Sequence, residues 1–176
     1  MKKTTIFMIF LALVLTGVLL SGCTTQNAAS STKNDKQSTL NKMPDFTVTT
    51  ITGETISSQS FLSNKKPTLV YFMASWCPTC AQNWPSLNTI YTNYKDKINL
   101  VAISIDPTDT KDVLTKLAND KNLIFPIVPG NPKVMIDFGV RGQATTVGID
   151  ANGNIQFIKS GVFNVDNYRS MIESLA

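Results

Sequence analysis

The chain has 176 residues, enough for one domain with a real core and too few for a second, and 43% of them are hydrophobic, as in a folded protein. Sixteen Lys and Arg against 12 Asp and Glu give a net charge of +4, but Lys2 and Lys3 stand at the extreme N-terminus and the rest are interspersed with acids, so no nucleic-acid partner is expected. Histidine is absent, which excludes imidazole triads and leaves Cys/His metal sites short of ligands.

In chain order, Lys2-Lys3 leads into an apolar run from Ile6 to Leu20, broken only by Thr16 and Gly17, and then into Leu20-Ser21-Gly22-Cys23. A positive start, an apolar centre and small residues before a cut predict an export signal over residues 1–22. The run is shorter than the about 20 apolar residues of a stable span, and an uncleaved membrane helix is the alternative. Leu20-Ser21-Gly22-Cys23 resembles the bacterial lipobox, which implies a lipid on Cys23 and anchoring at the extracytoplasmic face of the cell membrane. Residues 23–43, rich in Ser, Thr, Asn, Gln and Lys and without a period of 2 or 3.6, read as a flexible polar tether.

Residues 44–176 carry the domain. Pro44 to Thr50 alternates toward Ile51-Thr52-Gly53-Glu54-Thr55-Ile56, which predicts an N-terminal β-hairpin around a glycine turn. A helical turn over Ser58 to Leu62 precedes Pro67 to Met73, a continuous apolar and β-branched run that predicts a central strand buried on both faces. Cys77 then takes a helix N-cap position with Pro78 at N1, where its missing N–H costs nothing. Trp84, Leu87, Tyr91 and Tyr94 mark the inward face of that helix, and Pro85 inside it predicts a kink.

Further on, Ile98 to Ile105 predicts a buried strand, and Thr110 to Asn119 a helix with Val113, Leu114 and Leu117 inward. Ile124 to Val128 predicts a short strand and Pro132 to Phe138 a helix. Thr145 to Asp150 and Ile155 to Ser160 flank Ala151-Asn152-Gly153-Asn154, whose Asn-Gly is the strongest hairpin signal in the chain. Val165, Tyr168, Ile172 and Leu175 line a closing helix. The order predicts an α/β domain with a central mixed sheet flanked by helices.

If Cys23 carries lipid, the domain keeps two cysteines, Cys77 and Cys80. As a structural staple the pair closes too short a loop to constrain the unfolded chain much. As a metal site it lacks partners, since structural zinc takes four ligands. Redox chemistry suits it: at a helix start, one thiolate attacks a disulfide and the other is near enough to resolve the product. No metal or cofactor is expected.

With Trp76-Cys77-Pro78-Thr79-Cys80 between a buried strand and a helix, the chain from about Pro44 onward resembles the thioredoxin-like superfamily. Within it, the chain is similar to the exported, membrane-tethered TlpA/ResA-type thiol-disulfide oxidoreductases. Pro44-Asp45-Phe46 is similar to their domain opening, Pro85 stands where they carry a kinking proline, Phe138-Gly139-Val140-Arg141-Gly142 is similar to the approach to their substrate loop, and Asp150 to Ile155 to the following turn. Three positions depart from the pattern. In Gln143-Ala144-Thr145-Thr146, Ala144 takes the place of a cis-proline; a cis bond before a non-proline costs about 2.5–4 kcal/mol, so a trans loop is expected. Tyr71 replaces thioredoxin's buried Asp, so a proton must reach the resolving thiol through another group or water, and Asn83 replaces an acidic residue often found in this branch.

The resemblance implies a thioredoxin-like fold with an N-terminal hairpin extension, Cys77 as the more exposed nucleophile held by the helix N-terminus, and Cys80 as the resolving thiol. Trp76, Pro78, Thr79, Gln143, Ala144 and Thr145 then surround the substrate groove. Implied partners are thiols or disulfides of exported proteins and a membrane redox partner, and a monomer is expected. Pro78-Thr79 resembles DsbA-type and glutaredoxin sites, so oxidation of thiols to disulfides is the expected direction, with reduction the alternative. Cys77-Pro78-Thr79 also resembles a peroxidatic loop, but Ala74 and Val70 stand where peroxiredoxin-type peroxidases carry Thr and Pro. A non-catalytic binding lipoprotein is the remaining alternative, supported by Ala144 alone.

Overall fold

The computed structural model describes residues 42–176; the predicted signal, Cys23 and all but the end of the predicted tether lie outside the described residues. Strands β1 (Thr47–Thr49) and β2 (Thr55–Ser57) pair antiparallel with Val48 opposite Ile56. Their turn places Gly53 at φ 90°, a conformation open to glycine and strained for other residues. Helix α1 (Ser58–Ser63) follows, opened by a reciprocal capping box between Ser57 and Ser60. Phe46 packs against Phe61 and Phe138, and Phe138 against Phe72, at centroid distances of 5.5–6.0 Å, so one aromatic cluster fastens the hairpin to the sheet.

The apolar run becomes β3 (Thr68–Met73), buried at every residue. It pairs parallel with β4 (Asn99–Ser104) and antiparallel with β6 (Thr145–Ile149), and the sheet is completed by β5 (Ile127–Val128) and β7 (Ile155–Ser160) in the order β5-β4-β3-β6-β7. A parallel pair needs a long crossover, and α2 (Pro78–Tyr94) supplies it, with Pro85 inside it. Side chains alternate across β3: Leu69, Tyr71 and Met73 face the core under α2, while Val70 and Phe72 face the core under the hairpin. The fold is therefore the expected mixed α/β sheet with a hairpin extension.

The structure corrects several details of the sequence reading. In α2, Ile90 takes the deep position beside Leu87, leaving Tyr91 and Tyr94 half-buried. In α3 (Lys111–Lys121), Leu114 and Ala118 form the buried i,i+4 stripe, Leu117 is half-buried, and Val113 is turned off the stripe and exposed. β5 has two residues rather than five: Ile124 is exposed and gives its N–H to the Asn88 side chain. Helix α4 (Pro132–Asp137) matches its expectation, and α5 (Val165–Glu173) buries Met171 in addition to Tyr168 and Ile172. Among the described residues no helix is long and apolar enough to cross a membrane.

Candidate active site

The chain leaves β3 through Ala74-Ser75-Trp76 and enters α2 at Cys77, whose extended backbone makes it the N-cap. Its Sγ accepts the Cys80 N–H at 3.0 Å, the capping bond that serine or aspartate usually accepts. Pro78 follows in the first turn, and Cys77 and Cys80 are joined in a disulfide with Cα atoms 5.2 Å apart. Pro78, Thr79 and Trp76 are exposed and rim the pair, while the sulfurs lie inward. Cys77 is the more exposed cysteine, as expected, but only at 3% against 0% for Cys80.

Two aspartates unmarked in the sequence reading hold the loop before Cys77. Asp109 is buried and accepts from the Ser75 N–H at 2.8 Å and the Ser104 hydroxyl at 2.5 Å. Asp106 accepts from the indole N–H of Trp76 at 2.5 Å, fixing a side chain that is 59% exposed. That bond, with those from Thr108, holds the Asp106 carboxyl below the usual carboxylate range. Only the local run Asp106-Pro107-Thr108-Asp109 after a strand could have pointed to them, since both contacts join segments about 30 residues apart.

Ala144 is buried in the same cluster as Cys77 and Cys80. No cis peptide bond occurs among the described residues, so the loop is trans, and Ala144 sits in the left-handed region at φ 55°. That conformation costs about 1–2 kcal/mol for an L-residue. Its carbonyl is held by the Gly161 N–H at 2.9 Å. Thr145 opens β6 and shares a 2.7 Å hydrogen bond with Ser160, while Gln143 is half-buried and lends its carbonyl to the Thr145 hydroxyl. Ala144 thus shares the buried cluster of the redox pair, and Gln143 and Thr145 are its neighbours in the chain.

Under the pair, Tyr71 is fully buried, its hydroxyl making a long 3.5 Å bond to the Cys80 carbonyl. Burial, reinforced by Tyr168, pushes the Tyr71 phenol far above its ordinary value, and burial pushes Tyr168 up to about 12. Both stay neutral hydrogen-bonding groups at physiological pH. Asn83 stands between them, accepting from the Tyr168 hydroxyl at 3.2 Å.

A lone redox-active Cys-x-x-Cys pair, capping the helix that follows the central strand of such a sheet, defines a thioredoxin-fold thiol-disulfide oxidoreductase. The match to known proteins is more specific. The chain belongs to the AhpC/TSA family, whose profile covers residues 39–158, and within it to the TlpA/ResA-type redoxins. It is 31% identical over 119 residues to the thioredoxin-like protein YneN of Bacillus subtilis, covering 67% of this chain and 69% of that one. It is 29% identical over 137 residues to the thiol-disulfide oxidoreductase ResA of Oceanobacillus iheyensis, covering 76% and 70%. A thiol:disulfide interchange protein of Chlorobium tepidum superposes with a TM-score of 0.69 over 77% of this chain and 95% of its own, at 21% identity, a likeness of fold.

Proposed function

We propose that the protein is exported, anchored by lipid on Cys23 at the extracytoplasmic face of the cell membrane, and introduces disulfides into exported proteins. Residues 1–22 are the signal, 23–43 the tether and 44–176 the catalytic domain. The observation that carries the direction is the helix-end hydrogen bond from the Cys80 N–H to Cys77 Sγ. Donors aimed at that sulfur favour its thiolate, hence the reduced form, and a couple with a stabilised reduced form is an oxidant.

A substrate thiolate attacks Cys77 Sγ, the Cys77–Cys80 bond breaks, and Cys80 leaves as a thiolate that takes a proton from solvent. A second substrate thiolate then attacks the substrate sulfur of the mixed disulfide and expels the Cys77 thiolate. The substrate loses two electrons and the cysteine pair gains them, to be returned to a membrane redox partner. Trp76, Pro78, Thr79, Gln143, Ala144 and Thr145 form the groove against which the substrate chain lies, and the protein works as a monomer.

Equilibrating the purified protein with glutathione buffers tests the direction. The expected potential lies between the about −270 mV of thioredoxin and the about −120 mV of DsbA, nearer the latter. A value at or below thioredoxin's, with failure to oxidise a reduced unfolded protein, refutes the oxidant reading. Reduction of disulfides in exported proteins is the second reading, favoured by the absence of any histidine to reinforce the Cys77 thiolate.

A further inference from the structure

One fully buried polar side chain next to the redox pair takes no part in the exchange chemistry. Asn83 lies on α2 one turn beyond Thr79, and every hydrogen-bonding position of its amide is used. Its Nδ2 donates to the Thr79 carbonyl at 3.1 Å and the Gly161 carbonyl at 2.9 Å. Its Oδ1 accepts from the Phe163 N–H at 2.8 Å and the Tyr168 hydroxyl at 3.2 Å. These partners belong to the redox turn, the β7–α5 connection and α5.

Gly161 carries the path further, because its N–H donates to the Ala144 carbonyl. A continuous strut therefore runs from Thr79, between the cysteines, through Asn83 and Gly161 to Ala144, which shares their buried cluster. Gly161 holds φ 135°, which side-chain-bearing residues rarely adopt, and Ala144 holds φ 55°. Backbone in such regions persists only where its surroundings over-determine it. The amide is the one side-chain group whose two donors and two acceptors match two carbonyls and two donors at once. An ionised carboxylate at Asn83 would face the Thr79 and Gly161 carbonyls with nothing to donate. The titratable groups facing it, Tyr71 from β3 and Tyr168 from α5, are neutral and cannot compensate.

We propose that Asn83 is a positioning residue that fixes the gap between the redox turn and the Ala144 loop, and so sets the enzyme's preference for polypeptide over small thiols. The proposal rests on the reading of the Ala144 loop as the substrate groove. A polypeptide must lay its backbone along that loop, whereas a small dithiol needs only the sulfur of Cys77.

Steady-state oxidation of a reduced two-cysteine peptide and of dithiothreitol by the intact protein, with oxidised glutathione as the electron acceptor that restores the Cys77–Cys80 disulfide and the uncatalysed rate subtracted, tests this. In Asn83→Ala the KM for the peptide rises about tenfold, as expected for one or two lost neutral hydrogen bonds, while kcat and the dithiothreitol rate stay within about twofold. In Asn83→Asp the peptide KM rises with pH as the buried carboxyl ionises, a titration that the wild type lacks, and is partly restored when the protonated acid supplies one donor. Tyr168→Phe, which deletes one of the four bonds, shifts the peptide KM less and in the same direction; with Asn83→Asp it carries the test should Asn83→Ala not fold. A wild-type KM preference that persists unchanged in these variants, or equal losses toward peptide and dithiothreitol, overturns the proposal alone. A wild type with no preference for the peptide overturns the groove reading and the proposal with it.

Discussion

Reducing the Cys77–Cys80 disulfide perturbs the domain in a way that separates the two directions of electron flow. The bond spans a sequence separation of 3, so the chain-entropy model assigns the oxidised form an advantage of only about 2 kcal/mol. The Cys80 N–H already points at Cys77 Sγ in the disulfide form, and once the pair is reduced and Cys77 ionised, a hydrogen bond to that charged acceptor contributes about 1.5–3 kcal/mol. The helix end adds about 0.3–1 kcal/mol, and up to ~2 when partly buried. The reduced form should therefore be at least as stable as the oxidised one wherever Cys77 is a thiolate. Urea unfolding of the oxidised and the dithiothreitol-reduced protein at alkaline pH measures both quantities. Each 1.4 kcal/mol in favour of the reduced form raises the potential by about 30 mV relative to the unfolded chain. A reduced form less stable by about 2 kcal/mol or more at alkaline pH would refute the reasoning and leave a reductase.

Cys80→Ser should accumulate mixed disulfides through Cys77 on non-reducing gels, and Cys77→Ser few; the opposite pattern would exchange the two roles. The Trp76–Asp106 bond should survive as pH falls through the ordinary carboxylate value of about 3.9 and break only below it, because the Asp106 carboxyl is depressed. An emission titration with its midpoint at or above that value, absent in Asp106→Asn, contradicts this. In Gly130→Ala the new Cβ would lie 1.9 Å from the Asp106 carbonyl oxygen and 2.8 Å from Pro107 Cα. Backbone must move, at a cost of about 1–3 kcal/mol, and an unchanged urea midpoint would show that the turn yields freely. Cys23→Ala should remove the protein from membranes or leave a precursor, and full retention with the signal cleaved would refute lipid anchoring.

The strands that position the site are legible in the chain because their signals are local. The six-residue run of β3 has no solvent face to interrupt it, and Asn152-Gly153 marks the β6–β7 turn, with Gly153 at φ 80°. Cys77 and Pro78 announce the start of α2 by capping chemistry alone. Helix faces are less legible: where Ile90 and Tyr91 compete for one position, the phase depends on which neighbour the helix meets, and the smaller apolar side chain goes under. Asp106, Asp109 and Gly161 carry no signal of their own, since each acts through a partner 17 to 78 residues away. In the sequence Asn83 stands out only as a departure from an acidic pattern; its four partners belong to the tertiary structure.

The place of β3 between β4 and β6 also orders the assembly of the molecule. Thr68 pairs with Ile149, and Asn83 reaches across 78 residues to Gly161, so the proposed groove forms only after contacts of high sequence separation close, a slow class of folding event. The disulfide is the opposite case. Its short loop closes without help from the sheet, and a domain with two cysteines offers a single intramolecular pairing, so it needs no isomerisation among alternatives. An unfinished chain therefore carries an ordinary dithiol, and the proposed recognition of polypeptides is acquired only when the segment from Ala144 onward docks against β3.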